Sequence, residues 1–186
     1  MKFKEIEEKY RDLIEIAVNY MRKSSDKEHD VIHMLDVVSY TKILLNMLEI
    51  EVDYDVCIIS AYWHDVGRVF GAEGHEKKSA EMLLKEMTIR NYPADLIKQC
   101  YKAIESHKWN MMPETNEGLI IRDADKLDFV GVNRWKNCLD NNQSMEKIVE
   151  LLPNLREKYL YFEESRQIYD KEIIKLIDYL YRRGVV

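Results

Sequence analysis

Six glycines and three prolines in 186 residues leave few of the breaks that a turn-rich β architecture needs, which points to helices. No uninterrupted apolar run is long enough to span a bilayer, although hydrophobic residues make up 46% of the chain. The opening stretch MKFKEIEEKYRD is charged where a signal peptide would be apolar. Positive charge is short as well: 28 Lys and Arg against 34 Asp and Glu give a net charge of −6, which argues against polymeric nucleic acid as a partner. A local cationic pocket for a small phosphate ester remains compatible with that balance. The three cysteines, Cys57, Cys100 and Cys138, are odd in number, widely spaced and without a CxxC pair, so they read as buried reduced thiols. The expectation is a cytoplasmic, all-α protein of one domain, long enough to bury a core without staples.

Apolar residues recur at three- and four-residue intervals from Phe3 through Ile6, Tyr10, Leu13, Ile14, Ala17, Val18 and Met21, which predicts one opening helix. After a break at residues 24–26, Asp30 is placed to cap a second helix over 31–48, with His33, Val37, Tyr40 and Leu44 facing inward. Asp53 is placed to cap a third, whose run Val56, Ile58, Ile59, Ala61, Tyr62 and Trp63 is apolar almost all round and therefore central. Gly67 is expected to end that helix through a positive φ. A further helix from about Glu76 carries Ala80, Leu83, Leu84 and Met87 inward, and Pro93 suits the first position of the next, whose stripe Leu96, Ile97, Cys100, Tyr101 and Ile104 runs up to His107. WNMMPET, 109–115, reads as a loop, 117–135 as one buried helix, and the remainder as a helical extension over 142–186 that Pro153 kinks or restarts. Its aromatic residues, Tyr159, Tyr161, Phe162, Tyr169, Tyr179 and Tyr181, are expected to cover the core or to form a homodimer contact.

The chemistry-bearing stretch is AYWHDVGRVF, 61–70, where an apolar helix ends in the adjacent pair His64-Asp65. His33 near the start of the second helix and Asp125 in IIRDADKLD fall where antiparallel neighbours would bring them to the same end. Two imidazole nitrogens and two carboxylates would then surround a divalent cation and leave positions for water and substrate. Taken singly, each has an ordinary alternative: His33 as a hydrogen-bonded core residue, Asp125 as a partner of Arg122 or Lys126. His29 sits beside a cap and reads as structural. His75 precedes Glu76, but position 79 is Ser, so the HExxH zinc-protease motif is absent. Lys77 and Lys78 read as a solvated helix face, and Asp128 as either a surface charge or a partner behind the metal ligands.

His33 in HMLDVV, the pair in WHDVGR and Asp125 in RDADKLD, in that order on a helical chain, resemble the H…HD…D signature of the HD-domain metal-dependent phosphohydrolases, small stand-alone bacterial members in particular. The likeness covers residues 26–131. It implies an HD-type helical bundle with His33, His64, Asp65 and Asp125 as metal ligands for Mn, Mg, Fe or Co. Extra histidines between the HD pair and the last Asp hold a second cation in binuclear members; here His75 and His107 fall in that interval, with phosphate contact as their other reading. Many relatives carry Lys after HDxG where this chain has Arg68, whose guanidinium can grip phosphate in bidentate fashion. Some nucleotidases of the family place a Glu there as proton donor, and its replacement leaves the general acid unassigned.

The chemistry expected is in-line hydrolysis of a nucleotide, a deoxynucleotide by resemblance, or of a similar small phosphate. A cation would activate water, Asp65 or Asp125 would orient it, and Arg68, Lys126, His75 and His107 would meet the phosphoryl group. The competing readings are a regulatory module that binds a nucleotide or metal without turnover, a binuclear enzyme for a dinucleoside or cyclic phosphodiester, and a two-metal oxygenase.

Overall fold

The computed structural model describes residues 2–185, and these form ten α-helices and no strand. Three of the helices make the centre. α3 (Val31–Met47) starts at Asp30, whose carboxylate accepts the Ile32 N–H at 2.8 Å. α4 (Tyr54–Trp63) starts at Asp53, which accepts the N–H groups of Asp55 and Val56. α7 (Asn116–Leu127) starts at Thr115, which accepts the Gly118 N–H. Each cap satisfies a donor that the first helical turn cannot, which is why these polar residues mark the boundaries. α4 is buried from Val56 to Trp63 and α7 from Gly118 to Leu127, and both pack on α3. α4, apolar on almost every side, finds its free-energy minimum only in the middle of a bundle, where each buried Ile or Leu contributes about 2 kcal/mol of transfer free energy, whereas α7 also brings the buried charges Arg122, Asp123, Asp125 and Lys126.

Around this centre lie α1 (Lys2–Lys9) and α2 (Arg11–Met21), the hairpin of α5 (His75–Ile89) and α6 (Ala94–Glu105), and α8 (Val132–Asp140), α9 (Glu146–Asn154) and α10 (Glu163–Arg182). Buried residues from Ile6 to Leu180 belong to one apolar cluster. No helix among the described residues is long and apolar enough to cross a membrane.

Several expectations need correction. The opening stretch is two helices, because Tyr10 leaves helical geometry (φ −112, ψ 24) and buries its ring while its hydroxyl donates to Asp55 Oδ2 at 2.6 Å. Gly67 has no positive φ. It lies inside a 3-10 turn, Val66–Phe70, and is needed because a Cβ there would stand 2.4 Å from the His75 carbonyl oxygen. The positive φ that ends the turn belongs to Gly71 (φ 137). Leu84 is 42% exposed, on the outer side of α5, and Pro93 precedes α6 as its cap residue. The stretch 117–135 is α7, a 3-10 turn (Asp128–Val130) and α8, separated where the Trp135 indole donates to the Phe129 carbonyl at 2.8 Å. Tyr181 at the end of α10 is 74% exposed and covers no core.

Candidate metal centre

Five elements bring their ends to one buried space. His33 lies in the first turn of α3, His64 and Asp65 follow α4, His75 opens α5, His107 follows α6, and Asp125 sits in the last turns of α7. All six are less than a tenth exposed. Gly67 makes this approach feasible: with no Cβ it lets the 3-10 turn lie against the start of α5, and its N–H donates to Ser79 Oγ at 2.8 Å.

The donor atoms fall into two groups, His33, His64 and Asp125 in one and Asp65, His75 and His107 in the other, each within 4.8 Å of one another. Asp65 joins them. Its Oδ2 lies 3.4 Å from His33 Nε2 and 3.8 Å from His64 Nε2, while its Oδ1 lies 3.0 Å from His75 Nε2 and 3.6 Å from His107 Nε2. Asp125 Oδ1 is 3.5 Å from His33 Nε2.

Every histidine of the centre has an acceptor behind its Nδ1. His64 donates to the Ala61 carbonyl at 2.9 Å, His75 to Ala72 at 2.8 Å, His107 to Ile104 at 2.5 Å, and His33 to Asp128 Oδ2 at 2.7 Å. These partners behind Nδ1 turn all four Nε2 atoms toward the same space, where a neutral ring offers its lone pair. Four imidazole nitrogens with two carboxylates are the mixed donor set that a divalent cation takes, and the residues fit such a group.

The charges agree with that fit. Burial pushes Asp65 up, but Arg68 and the surrounding histidines outweigh it and hold the carboxyl well below its usual range. Burial is likewise outweighed at Asp125 by Lys126, His33 and His64. Burial takes His64 down to about 3, whereas at His33 burial is overcome by Asp128 and Asp65, bringing it up to about 9. The metal-free site thus keeps its carboxylates ionised beside a protonated His33 and a neutral His64.

Arg68 Nε lies 2.9 Å from Asp65 Oδ2, at an angle outside hydrogen-bond geometry, and Lys126 Nζ donates to Asp125 Oδ2. Asp128, weighed in the sequence as a surface charge or an inner partner, is fully buried behind His33. Lys77 and Lys78 are exposed, as their helical face implies. Sequence reasoning missed two features. Arg134 lies buried beside Asp128, and Trp109, Phe129 and Tyr159 form an aromatic wall next to Lys126, with ring centroids 5.7 Å (Trp109 to Phe129) and 4.5 Å (Trp109 to Tyr159) apart. The wall draws on a loop and two 3-10 or π turns, so no helical period in the sequence connects its members.

Three solved structures share the fold. A predicted HD superfamily hydrolase from an uncultured Thermotogales bacterium is 20% identical with a TM-score of 0.71, over 92% of this chain and 89% of that one. The Lin1889 protein of Listeria innocua is 19% identical with a TM-score of 0.63, over 92% and 93%. Bacillus subtilis YpgQ, in complex with ADP, is 14% identical with a TM-score of 0.63, over 91% and 94%. No curated protein matches the chain. The sequence itself matches the HD domain over residues 30–130, from the cap of α3 to the turn that follows Asp125, so the chain belongs to the HD domain family.

Proposed function

We propose that this protein is a metal-dependent phosphohydrolase whose substrate is a nucleotide or a similar small phosphate. The observation that supports it most is the direction of four imidazole Nε2 atoms and two carboxylates into one buried space, with Asp65 shared between two groups. His33, His64, Asp65 and Asp125 would hold one cation, and Asp65, His75 and His107 a second. Nitrogen-rich ligation favours Mn, Fe or Co over Mg, which prefers oxygen ligands. Divalent cations held there would supply a Lewis acid that polarises a phosphoryl oxygen and lowers the pKa of water.

The chain's own groups do the rest. Asp65 and Asp125 accept hydrogen bonds from the attacking water and orient it. Arg68 and Lys126, held beside those carboxylates before substrate arrives, offset the charge that builds on the phosphoryl oxygens during in-line displacement. Lys126 also links phosphate to base recognition, because its ammonium lies 4.6 Å from the centre of the Trp109 ring. A flat aromatic face beside a cation suits a planar base joined to a phosphate. The ADP in YpgQ is a ligand of that class. Three buried free thiols fit a reducing compartment, in keeping with the cytoplasm. The second group of ligands favours one further reading, a dinucleoside or cyclic phosphodiester cleaved at a binuclear centre.

The test is metal analysis of the purified protein, followed by turnover with Mn²⁺, Mg²⁺, Co²⁺ and Fe²⁺. Substrates should include ribo- and deoxyribonucleoside mono-, di- and triphosphates beside cyclic and dinucleoside phosphates. Release of phosphate or pyrophosphate from a nucleotide is expected, and cleavage of diesters alone would favour the second reading. Protein that retains metal and turns over none of these is a binding module, and the proposal fails.

A further inference from the structure

His64, His75 and His107 each rest Nδ1 on the main-chain carbonyl three residues earlier, an orientation that no side-chain substitution removes. His33 is different. It stands one turn into α3, and its Nδ1 acceptor is a side chain 95 residues away, Asp128 Oδ2. That same oxygen lies 3.1 Å from an Arg134 guanidinium nitrogen, and Asp128 and Arg134 are 0% and 1% exposed. Arg134 is clamped in turn: its guanidinium carbon lies 4.7 Å from the centre of the Phe129 ring, and its second terminal nitrogen lies 3.4 Å from His29 Nε2 and 3.7 Å from Glu28. A buried carboxylate and a buried guanidinium are retained at a cost in hydration, and here both are spent on one ring.

We infer that Asp128 and Arg134 are positioning residues for one half of the centre only. Asp128 fixes His33 in the tautomer that turns the Nε2 lone pair toward His64 and Asp125, and Arg134 fixes Asp128. The group formed by Asp65, His75 and His107 makes no use of either. The inference rests on the two-group reading proposed above and adds that the two halves are oriented by different means, main chain for one and a removable ion pair for the other.

The test compares wild type with Asp128→Asn, which keeps an acceptor oxygen, and with Asp128→Ala/Arg134→Met, which removes both charges together so that neither is left buried alone. Circular dichroism establishes that each folds. Long-range ¹H–¹⁵N spectra of metal-free protein at pH 10 read which nitrogen of His33 carries the proton, and Mn²⁺ titration reads each site. Nδ1 protonation is expected in wild type and Asp128→Asn. The double variant should gain Nε2-protonated His33 and lose about 10- to 100-fold in Mn²⁺ affinity at one site while the other is unchanged. An unchanged tautomer overturns the inference, as does equal weakening of both sites in folded protein. Wild-type protein that takes up no Mn²⁺, Mg²⁺, Co²⁺ or Fe²⁺ overturns the phosphohydrolase reading instead and leaves the tautomer measurement to decide this one.

Discussion

The Nε2 atoms of His33 and His64 lie 3.1 Å apart in full burial. At that separation the two nitrogens can share one proton but cannot each carry one. With Asp65 and Asp125 ionised beside them, the pair is a place where positive charge is needed and little room exists for it. A proton on His33 meets that need in the metal-free protein, and a cation meets it better, because one ion can accept both lone pairs and both carboxylates.

Removal of one carboxylate tests this directly. Asp125→Ala should abolish metal retention at the first group and lower turnover by more than about 100-fold, while the helical circular dichroism signal is kept. Full activity would show that Asp125 is no ligand. Chelation of the wild-type protein should lower its melting temperature, since metal binds only the folded arrangement.

Trp109→Ala should separate base from phosphate. Loss of one stacking face is worth about 1–3 kcal/mol, so KM for a nucleotide is expected to rise by about tenfold or more, with kcat little changed. Tripolyphosphate, which has no base, should show no such rise. Equal effects on both substrates would remove the aromatic wall from recognition.

Gly67→Ala adds one methyl group where the His75 carbonyl, the Ser79 nitrogen and the Lys78 Cβ leave no room, at 2.4, 2.7 and 2.9 Å. Two of the three are backbone and cannot swing aside. Urea denaturation should show a loss of about 1–3 kcal/mol, and His75 should be displaced with the start of α5. An unchanged midpoint would mean that the turn and α5 separate freely.

Glu7 on α1 provides a pH dependence away from the centre. Burial pushes its carboxyl up, but hydrogen bonds from Lys42 and Tyr62 outweigh burial and bring it below the ordinary 4.5. A group lowered in the folded state stabilises fully above its unfolded value and loses that contribution as pH falls through the folded one. Wild type should therefore exceed Glu7→Gln in stability near pH 7, by about 1 kcal/mol or less for so accessible a pair, and the difference should shrink as pH falls below the ordinary 4.5 and vanish once the folded carboxyl is protonated. Denaturant midpoints measured over that range check it; a constant difference would place the effect in packing.

The helices and their starts were legible because the signals are local. Asp30 and Asp53 cap α3 and α4 through N–H groups two or three residues away, and α4 is apolar on all sides whatever surrounds it. His33, His64, Asp65 and Asp125 were legible through their order and spacing, and the structure brings them together. Gly67 was misread because glycine serves two purposes, positive φ and close approach, and only the neighbouring α5 tells which applies. The opening helix was misread because the partner that draws Tyr10 out of line, Asp55, lies 45 residues away.

By itself the sequence determined an all-helical HD domain and the order of its candidate metal ligands, since cap chemistry, helical period and motif order act along the chain. Tertiary structure alone decided that Asp65 faces two groups rather than one, that His75 and His107 stand on its second oxygen, and that Asp128 and Arg134 sit behind His33. These are relations among separate elements, and a side chain's direction at the end of an element depends on what packs against it, which no periodicity encodes.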